Sequence, residues 1–302
     1  MKKYQVLLFY KYTPIDNLGE LRDEIRALCR KFDLMGRVIV AGEGINATVE
    51  GLVENTEKFI QEFTLDGRFA DVQFKKSEGT GKAFPKLSVK VRNELVAYRL
   101  GKDDVLPWSA TGKYLQPEEL HGWFEQSKQF YIVDMRNDFE QEVGFFDKSI
   151  LSGWEHSENI NDILKKLKSI PNDATILTVC TGGVRCEKAS GFLLKHGFKD
   201  VYQLYGGIHS YIEKYPGENF KGVLYTFDKR LVMGFNFDDP DREVVGKCAK
   251  CGKPSENLIN CLDDFCHRHF VACKDCLLGK DAILCPMGCR DYSKEHPEIL
   301  KV

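Results

Sequence analysis

The sequence predicts a multidomain α/β protein. We expect an N-terminal α+β domain, a central α/β domain built on a parallel sheet, and a small cysteine-rich module at the C-terminal end. Strand and helix patterns alternate through most of the 302 residues, and their order changes near residue 100. Eight of the eleven cysteines fall between residues 248 and 289, a stretch too short to bury much of a core by itself.

The predicted domain boundaries follow these changes in pattern. We place the first domain at residues 1–100 and a turn-rich linker at 101–120. The central domain then covers 121–225, and the cysteine-rich module covers 226–302.

The N-terminal pattern has the order β-α-β-β-α-β, which predicts a ferredoxin-like domain. Residues 4–10 alternate as a strand, and the last predicted strand is DVQFKK at 71–76. This fold hosts many functions, so it does not identify one. Basic residues cluster towards its end, as either a solvated surface or a patch that contacts phosphates; they are Lys75, Lys76, Lys82, Lys86, Lys90 and Arg92.

Three buried-type strands, QFYIVDMRN, ATILTVC and DVYQLYGGI, alternate with helical segments in the central domain. Such alternation predicts a parallel sheet, whose sites form where the strands end. Asp134, Arg136, Cys180 and Gly206 all stand at such ends. We therefore expect the functional site at this edge of the sheet.

Cys180 stands in the segment VCTGGVRCEKA, between a strand and a helix. A loop in this position points backbone N–H groups inward at the positive end of the helix dipole. Gly182 and Gly183 permit the dihedral angles that such a loop needs, and Arg185 adds a permanent positive charge. These features stabilise a thiolate or a persulfide anion. The prediction is catalytic Cys180 and Arg185 with an anion-binding support formed by Thr181, Gly182, Gly183, Val184, Asp134 and Arg136.

Composition and charge exclude several classes of protein. The formal net charge is −2, so a nucleic-acid partner has to be bound by a local basic patch. No segment approaches the ~20 apolar residues of a membrane helix. The apolar run after Met1 alternates and lacks the cleavage site of a signal peptide. We expect a cytoplasmic protein with no membrane partner and no nucleotide cofactor.

The cysteine-rich module has the spacing C-x2-C-x9-C-x4-C-x6-C-x2-C-x8-C-x3-C. Two C-x2-C pairs with further spaced cysteines are typical of structural zinc. Alternating pairing assigns Cys248, Cys251, Cys273 and Cys276 to one ion. It assigns Cys261, Cys266, Cys285 and Cys289 to the other, with His267 and His269 as spare ligands. Free cysteines in a small core, or an iron–sulfur cluster, are the alternatives.

Several motifs together resemble a known family. CTGGVRCEKASGFLLKHGFKDVYQLYGGI resembles the active loop and following helix of a rhodanese domain, and IVDMRNDFEQEVG resembles its upstream motif. With AGEGINATVEG, FKGVLYTFDKR and the cysteine-rich tail, the similarity extends along nearly the whole chain to the oxygen-dependent tRNA uridine hydroxylases.

This resemblance implies an activity that composition and spacing do not show. Members of the family form 5-hydroxyuridine at the wobble position of tRNA, with O2 as co-substrate. The family's essential cysteine corresponds to Cys180. The implied partner is the anticodon arm of tRNA, positioned by the N-terminal domain and the cysteine-rich tail.

The residues leave other activities open. Four residues separate Cys180 from Arg185, one fewer than in cysteine phosphatases, and the smaller ring suits a sulfur atom better than a phosphate. A sulfurtransferase carrying a persulfide on Cys180 is one alternative, and a non-catalytic binding module is another. His156 and Glu158 have the spacing of two iron ligands, without an evident third.

Cys186 begins the helix after the loop, and two roles fit it. It is either a packing residue or a thiol that resolves an oxidised or persulfidated Cys180 as a disulfide. We favour packing, because loop geometry that points Cys180 inward tends to point the first helical residue away.

Overall fold

The computed structural model describes most of the chain. The described residues are 3–234, 242–263, 266, 268–278 and 284–286. Within these ranges, no helix combines the length and the apolar character that crossing a bilayer requires.

The N-terminal domain is a five-stranded sheet covered on one face by two helices. Its first four strands have the antiparallel ferredoxin-like order β4-β1-β3-β2, and β5 adds to the edge parallel to β2. The predicted fold of this domain is confirmed. Its elements are β1 Tyr4–Tyr12, α1 Leu18–Lys31, β2 Met35–Ala41, β3 Gly44–Leu52, α2 Val53–Phe63, β4 Lys75–Gly79 and β5 Leu87–Val91.

Side-chain alternation along β1 divides the N-terminal sheet into two faces. Leu7 and Phe9 pack under α1 and α2, where Phe9 contacts the rings of Phe59 and Phe63. Leu8 and the two tyrosines that follow point the other way. That second face meets the central domain.

The strand predicted at 71–76 begins later than expected. The ladder with β1 runs from Lys75 to Gly79, and residues 71–74 lie outside it. Val72 and Phe74 still pack against the helical core, which accounts for the apolar pattern there. Asp71, Val72 and Gln73 also line a cavity beside β1.

The central domain has a five-stranded sheet of order β6-β11-β10-β7-β9, with every neighbouring pair parallel. This confirms the predicted parallel sheet. Strand β6 lies inside the range predicted as linker. The elements are β6 Lys113–Leu115, α3 Pro117–Glu125, β7 Tyr131–Asp134, α4 Asp138–Gln141, β8 Gly144–Phe146, β9 Ile150–Leu151, α5 Asn161–Lys166, β10 Thr175–Val179, α6 Val184–Lys195, β11 Asp200–Leu204 and α7 Gly207–Lys214.

The C-terminal region consists of short antiparallel pairs that lie against the central domain. Its first strand pairs with β8, and Tyr225 hydrogen-bonds to His269 across 3.1 Å. His269 also stacks on Phe139, with 4.4 Å between the ring centroids. The strands are β12 Phe220–Gly222, β13 Leu224–Tyr225, β14 Val232–Met233, β15 Leu258–Asn260 and β16 His269–Val271.

Lys188 ties the N-terminal domain to helix α6. Its side chain is fully buried, and its ammonium lies 3.0 Å from Glu43 and 2.7 Å from Asp104. Glu43 stands in the turn between β2 and β3, and Asp104 in the connection between the domains. A buried ammonium requires such carboxylate partners, so this cluster fixes the domains against each other.

Candidate active site

The loop after β10 wraps around the sulfur of Cys180. Helix α6 begins at Val184 with Gly183 as its N-cap, at a φ of +102° that disfavours other residues. The Gly183 N–H donates to Cys180 Sγ across 3.2 Å. From the other side, Ile208 and His209 at the start of α7 donate backbone hydrogen bonds to the carbonyls of Cys180 and Thr181. The loop is therefore held from both ends.

The surroundings of Cys180 favour its thiolate. Complete burial opposes ionisation, but three other effects outweigh it: a hydrogen bond with the Cys186 thiol, the positive charge of Arg185, and backbone N–H groups at the start of α6. Together they lower the pKa of Cys180 to about 6. Most of the thiol is therefore ionised at neutral pH, as a nucleophile requires.

Cys186 faces Cys180 rather than pointing away, so the expected orientation is wrong. Because Val184 already begins α6, Cys186 is the third residue of the helix and not the first, and its side chain turns back to the loop. It is buried within the central core, which agrees with packing, yet it also hydrogen-bonds to Cys180. Burial and the neighbouring thiolate raise the pKa of Cys186 well above its usual value.

Arg185 is paired with a carboxylate under the loop. Its guanidinium donates to both oxygens of Glu140, with 2.8 Å between Nη2 and Oε2. Glu140 is completely buried and also accepts from the Thr181 hydroxyl at 3.1 Å. Burial raises the pKa of Glu140, but Arg185 and Arg136 outweigh that effect and lower it. Only part of the Arg185 charge is therefore available to the sulfur.

Asp134 and Arg136 support the site indirectly, by positioning Glu140. Arg136 is fully buried, donates to both Asp134 carboxylate oxygens, and donates to the Gly144 carbonyl at 2.6 Å. These bonds fix both ends of the segment that carries Glu140. The pair thus positions the partner of Arg185 and does not itself contact the Cys180 sulfur.

A strand of the N-terminal domain covers the Cys180 loop. A Cβ atom at Gly182 would lie 2.7 Å from Leu8 Cδ2, and one at Gly183 would lie 2.7 Å from the Tyr10 hydroxyl. Tyr12 donates to the Val184 carbonyl at 3.2 Å. The loop glycines therefore permit close approach of the other domain as well as the loop conformation.

A cavity of about 260 Å³ lies between the loop and this cover. It reaches Cys180, Thr181 and Arg185 on one side, and is lined on the other by Arg37, Ile39, Asn46 and Thr48 from β2 and β3. It is slightly below the ~300–1,000 Å³ of sites for drug-sized ligands, so it suits a small group.

Sequence models of three domain families match this chain. The UPF0176 acylphosphatase like domain matches residues 4–95, the Rhodanese-like domain matches 116–214, and the Rhodanase C-terminal domain matches 221–290.

Curated relatives are similar over nearly the full length. The tRNA uridine(34) hydroxylase of Bacillus licheniformis is 38% identical over 302 residues, covering 99% of this chain and 91% of its own. That of Bacillus cereus strain Q1 is 40% identical over 291 residues, covering 96% and 90%. This chain belongs to the tRNA uridine(34) hydroxylase family. The resemblance stated from sequence is confirmed.

Among solved structures, a rhodanese-like domain protein from Staphylococcus aureus is similar to part of this family member. It is 29% identical, covers 33% of this chain and 90% of its own, and has a TM-score of 0.29.

The C-terminal cysteines of this hydroxylase-family chain gather into two clusters. Sulfur atoms of Cys248, Cys251, Cys273 and Cys276 all lie within 4.8 Å of one another, as do those of Cys261, Cys266 and Cys285. These are the two predicted groups, except that Cys289 and His267 lie outside the described residues. Both clusters could hold a metal ion. His269 is instead engaged with Tyr225 and Phe139.

The sulfur spacing fits zinc. In a tetrahedral site with Zn–S bonds of about 2.3 Å, neighbouring sulfur atoms lie ~3.8 Å apart. Cys251 and Cys273 are separated by 3.6 Å, and Cys266 and Cys285 by 3.7 Å. The backbone N–H of Cys285 also donates to Cys261 Sγ. His156 and Glu158 have the spacing of two iron ligands, but Glu158 forms an exposed ion pair with Arg99.

Sequence reasoning missed two parts of the site. Glu140 lies within the motif IVDMRNDFEQEVG, but the sequence does not show that it pairs with Arg185. Its spacing from Asn137 is the signal of a helix capping box, which forms, while the Arg185 contact depends on tertiary structure. The sequence shows Leu8, Tyr10 and Tyr12 only as alternate residues of a strand, and it does not predict that they cover the Cys180 loop.

Proposed function

We propose that this protein hydroxylates uridine 34 of tRNA at C5. The observation that carries the proposal is a buried thiolate at the end of a small cavity, in a chain similar over its full length to tRNA uridine(34) hydroxylases. Enzymes that modify a base take it out of the stack, and a single pyrimidine is a group small enough to suit such a cavity.

Cys180 acts as the nucleophile in this proposal. Its thiolate adds to C6 of the uracil ring, forming a C–S bond while the C5=C6 electrons move onto the C4 carbonyl oxygen. The resulting enolate makes C5 nucleophilic. After C5 has been oxygenated and has lost its proton, the C–S bond breaks and the thiolate leaves. Arg185 and the loop N–H groups stabilise the sulfur anion at both stages.

Overall, C5–H and O2 become C5–OH and water, so two electrons and two protons are consumed. O2 is the proposed co-substrate, and a two-electron reductant has to be supplied in an assay. The remaining loop residues Thr181, Gly182, Gly183 and Val184 shape the anion site, while Asp134 and Arg136 hold Glu140 in position.

The RNA partner is the anticodon arm. Arg37 lies on the exposed rim of the cavity, with no ion pair among the side chains in the described ranges, and it suits a backbone phosphate. We propose that the N-terminal domain, 1–100, and the module at 226–302 orient this arm around the central domain, 121–225, in the cytoplasm.

We also propose that the cysteine-rich module binds two structural zinc ions. One is held by Cys248, Cys251, Cys273 and Cys276, the other by Cys261, Cys266, Cys285 and Cys289. When every ligand position is filled by cysteine, zinc stabilises the fold and leaves no site for a substrate.

Nucleoside mass spectrometry tests the function. A strain lacking the gene should lose 5-hydroxyuridine and its derivatives, the wild-type gene should restore them, and Cys180→Ser should not. Loss of thiolated nucleosides instead would establish a sulfurtransferase that carries its sulfur on Cys180. Full restoration by Cys180→Ser would rule out the nucleophile.

A further inference from the structure

A second cavity lies beside the Cys180 pocket, on the other side of Tyr10. Its volume is about 420 Å³, and Tyr10 lines both cavities. Five aromatic side chains line it, together with charged and polar residues: Tyr10, Tyr12, Trp108, Tyr114 and Tyr205. Trp108 is 50% exposed and Tyr114 is 49% exposed, so these rings are not explained as core.

Lys75 enters this cavity as a buried cation without a carboxylate partner. Its side chain is only 8% exposed, and among the described residues it forms no ion pair or side-chain hydrogen bond. Its ammonium lies 5.0 Å from the centre of the Tyr10 ring. The negative charges of the Cys180 thiolate and Glu187 act on Lys75, but neither group forms an ion pair with it in the part of the chain that the structure describes. Buried ammonium groups normally have an anion in direct contact, so the contacting partner of Lys75 is expected from outside the chain.

Strand alternation separates Lys75 from the rest of the basic cluster. The neighbouring Lys76 points outward from β4 and pairs with Glu57 at 2.6 Å. Lys75 points towards the start of α7, where a Cβ atom at Gly206 would lie 3.5 Å from its Cε. Burial lowers the pKa of Lys75 to about 8, which leaves it mostly protonated at pH 7.

The other charged groups of this cavity are already engaged. Lys11 pairs with Asp71 at 2.6 Å. Glu187 accepts hydrogen bonds from Tyr10 and Tyr114 at 3.0 Å and from Gln203 at 3.2 Å. Lys75 is therefore the group left to meet an incoming anion.

We propose that this aromatic cavity binds the nucleotide next to the target uridine in the substrate RNA, with its base against Trp108 and Tyr114 and its phosphate at Lys75. Exposed rings with an unpaired cation are the combination by which proteins bind single-stranded nucleic acid. Tyr10 separates the two cavities, so consecutive nucleotides enter them on either side of one ring. This inference rests on the proposed function.

The test measures affinity for a fluorescein-labelled anticodon stem-loop RNA by anisotropy, with the full chain. Trp108→Ala should weaken binding about 5- to 150-fold, the range for loss of one stacked base. Lys75→Met should weaken it and reduce the slope of log affinity against log salt by roughly 1. Lys75→Arg should retain most of the affinity, which separates loss of charge from misfolding.

Matched controls lie elsewhere on the same domains. Lys76→Met removes a lysine from the opposite face of β4, and Tyr131→Ala removes an exposed ring at the start of β7. Both should bind RNA like the wild type. Wild-type affinity in Trp108→Ala and Lys75→Met would overturn the proposal. The proposal would also be overturned if Lys75→Met raised the pKa of Cys180 and left RNA affinity unchanged. The role of Lys75 would then be to stabilise the Cys180 thiolate.

Free uridine 5′-monophosphate is the second probe, followed by tryptophan fluorescence. Quenching that Lys75→Met abolishes, with unchanged RNA affinity, would assign the cavity to a free nucleotide and overturn the RNA assignment. Failure of the proposed function gives a different result: the strain without the gene would keep its 5-hydroxyuridine, whatever the RNA affinities of the variants.

Discussion

Arg185 and Glu140 form a buried ion pair directly beneath the Cys180 loop. The same guanidinium supplies positive charge to the thiolate, so the carboxylate and the sulfur share one cation. We therefore expect Glu140 to limit how strongly Arg185 acidifies Cys180.

Glu140→Gln should lower the stability of the protein and, at the same time, make the Cys180 thiol more acidic. Removing one partner of a buried pair leaves Arg185 uncompensated, so the free energy of unfolding should fall by about 3–5 kcal/mol. The freed charge should lower the pKa of Cys180 further. Urea denaturation measures the first effect and the pH profile of alkylation the second. Glu142→Gln, exposed at the end of the same short helix, is the matched control, and equal stability of the two variants would contradict the assignment.

Cys180 should react with iodoacetamide far faster than Cys29. Only the thiolate is alkylated, so the rate at Cys180 should rise with pH through a midpoint near 6 and then level off. Cys29 should stay unlabelled at neutral pH, because burial raises its pKa to about 12. Peptide mapping after timed labelling measures both. Equal rates in the native protein would remove the argument for a tuned thiol.

Cys186 should affect the acidity of Cys180 more than it affects the hydroxylation reaction. Cys186→Ala removes its hydrogen bond to Cys180, so the alkylation midpoint of Cys180 should move upward. Cys186→Ser should keep much of the hydroxylation in cells, whereas Cys180→Ser should abolish it because a serine hydroxyl does not ionise near pH 7. If both serine variants fold and are equally inactive, two cysteines take part in the mechanism.

Metal content provides an independent prediction. Elemental analysis of gently purified protein should give about two zinc ions per chain, and Cys251→Ser should give about one. Cys29→Ala, a substitution in the N-terminal core, should leave the content unchanged. Chelation should lower the melting temperature, because metal binding contributes to folding. An unchanged melting temperature in metal-free protein would contradict a structural role.

Local pattern was enough to predict the layers of this fold. The alternation of β1, the helical spacing of α1 and the short buried strands of the central domain all lie where expected. Cys180 lies between the end of β10 at Val179 and the start of α6, as the strand pattern and the two glycines predict. These features depend on residues that are close in sequence, where side-chain periodicity and turn chemistry act directly.

Features that depend on exact helix ends or on contacts between distant segments could not be predicted in the same way. Lys75 looked like one more member of a surface patch, and only the packing of β4 against the central domain buries it. Cys186 was placed from an assumed helix start that proved two residues late. Glu140 meets Arg185 across 45 positions of the chain. Tertiary packing, which a single sequence does not display, decides the burial of Lys75 and the contact between Glu140 and Arg185.

The cover over Cys180 comes from the first strand of the chain, and this has a consequence for biosynthesis. Residues of β1 leave the ribosome long before the reactive loop, and N-terminal domains generally fold first during translation. The surface that shields the sulfur is thus complete when Cys180 is made. The nascent central domain can dock on it once its own elements through α7 have emerged, which shortens the time in which peroxide or stray electrophiles reach the thiolate.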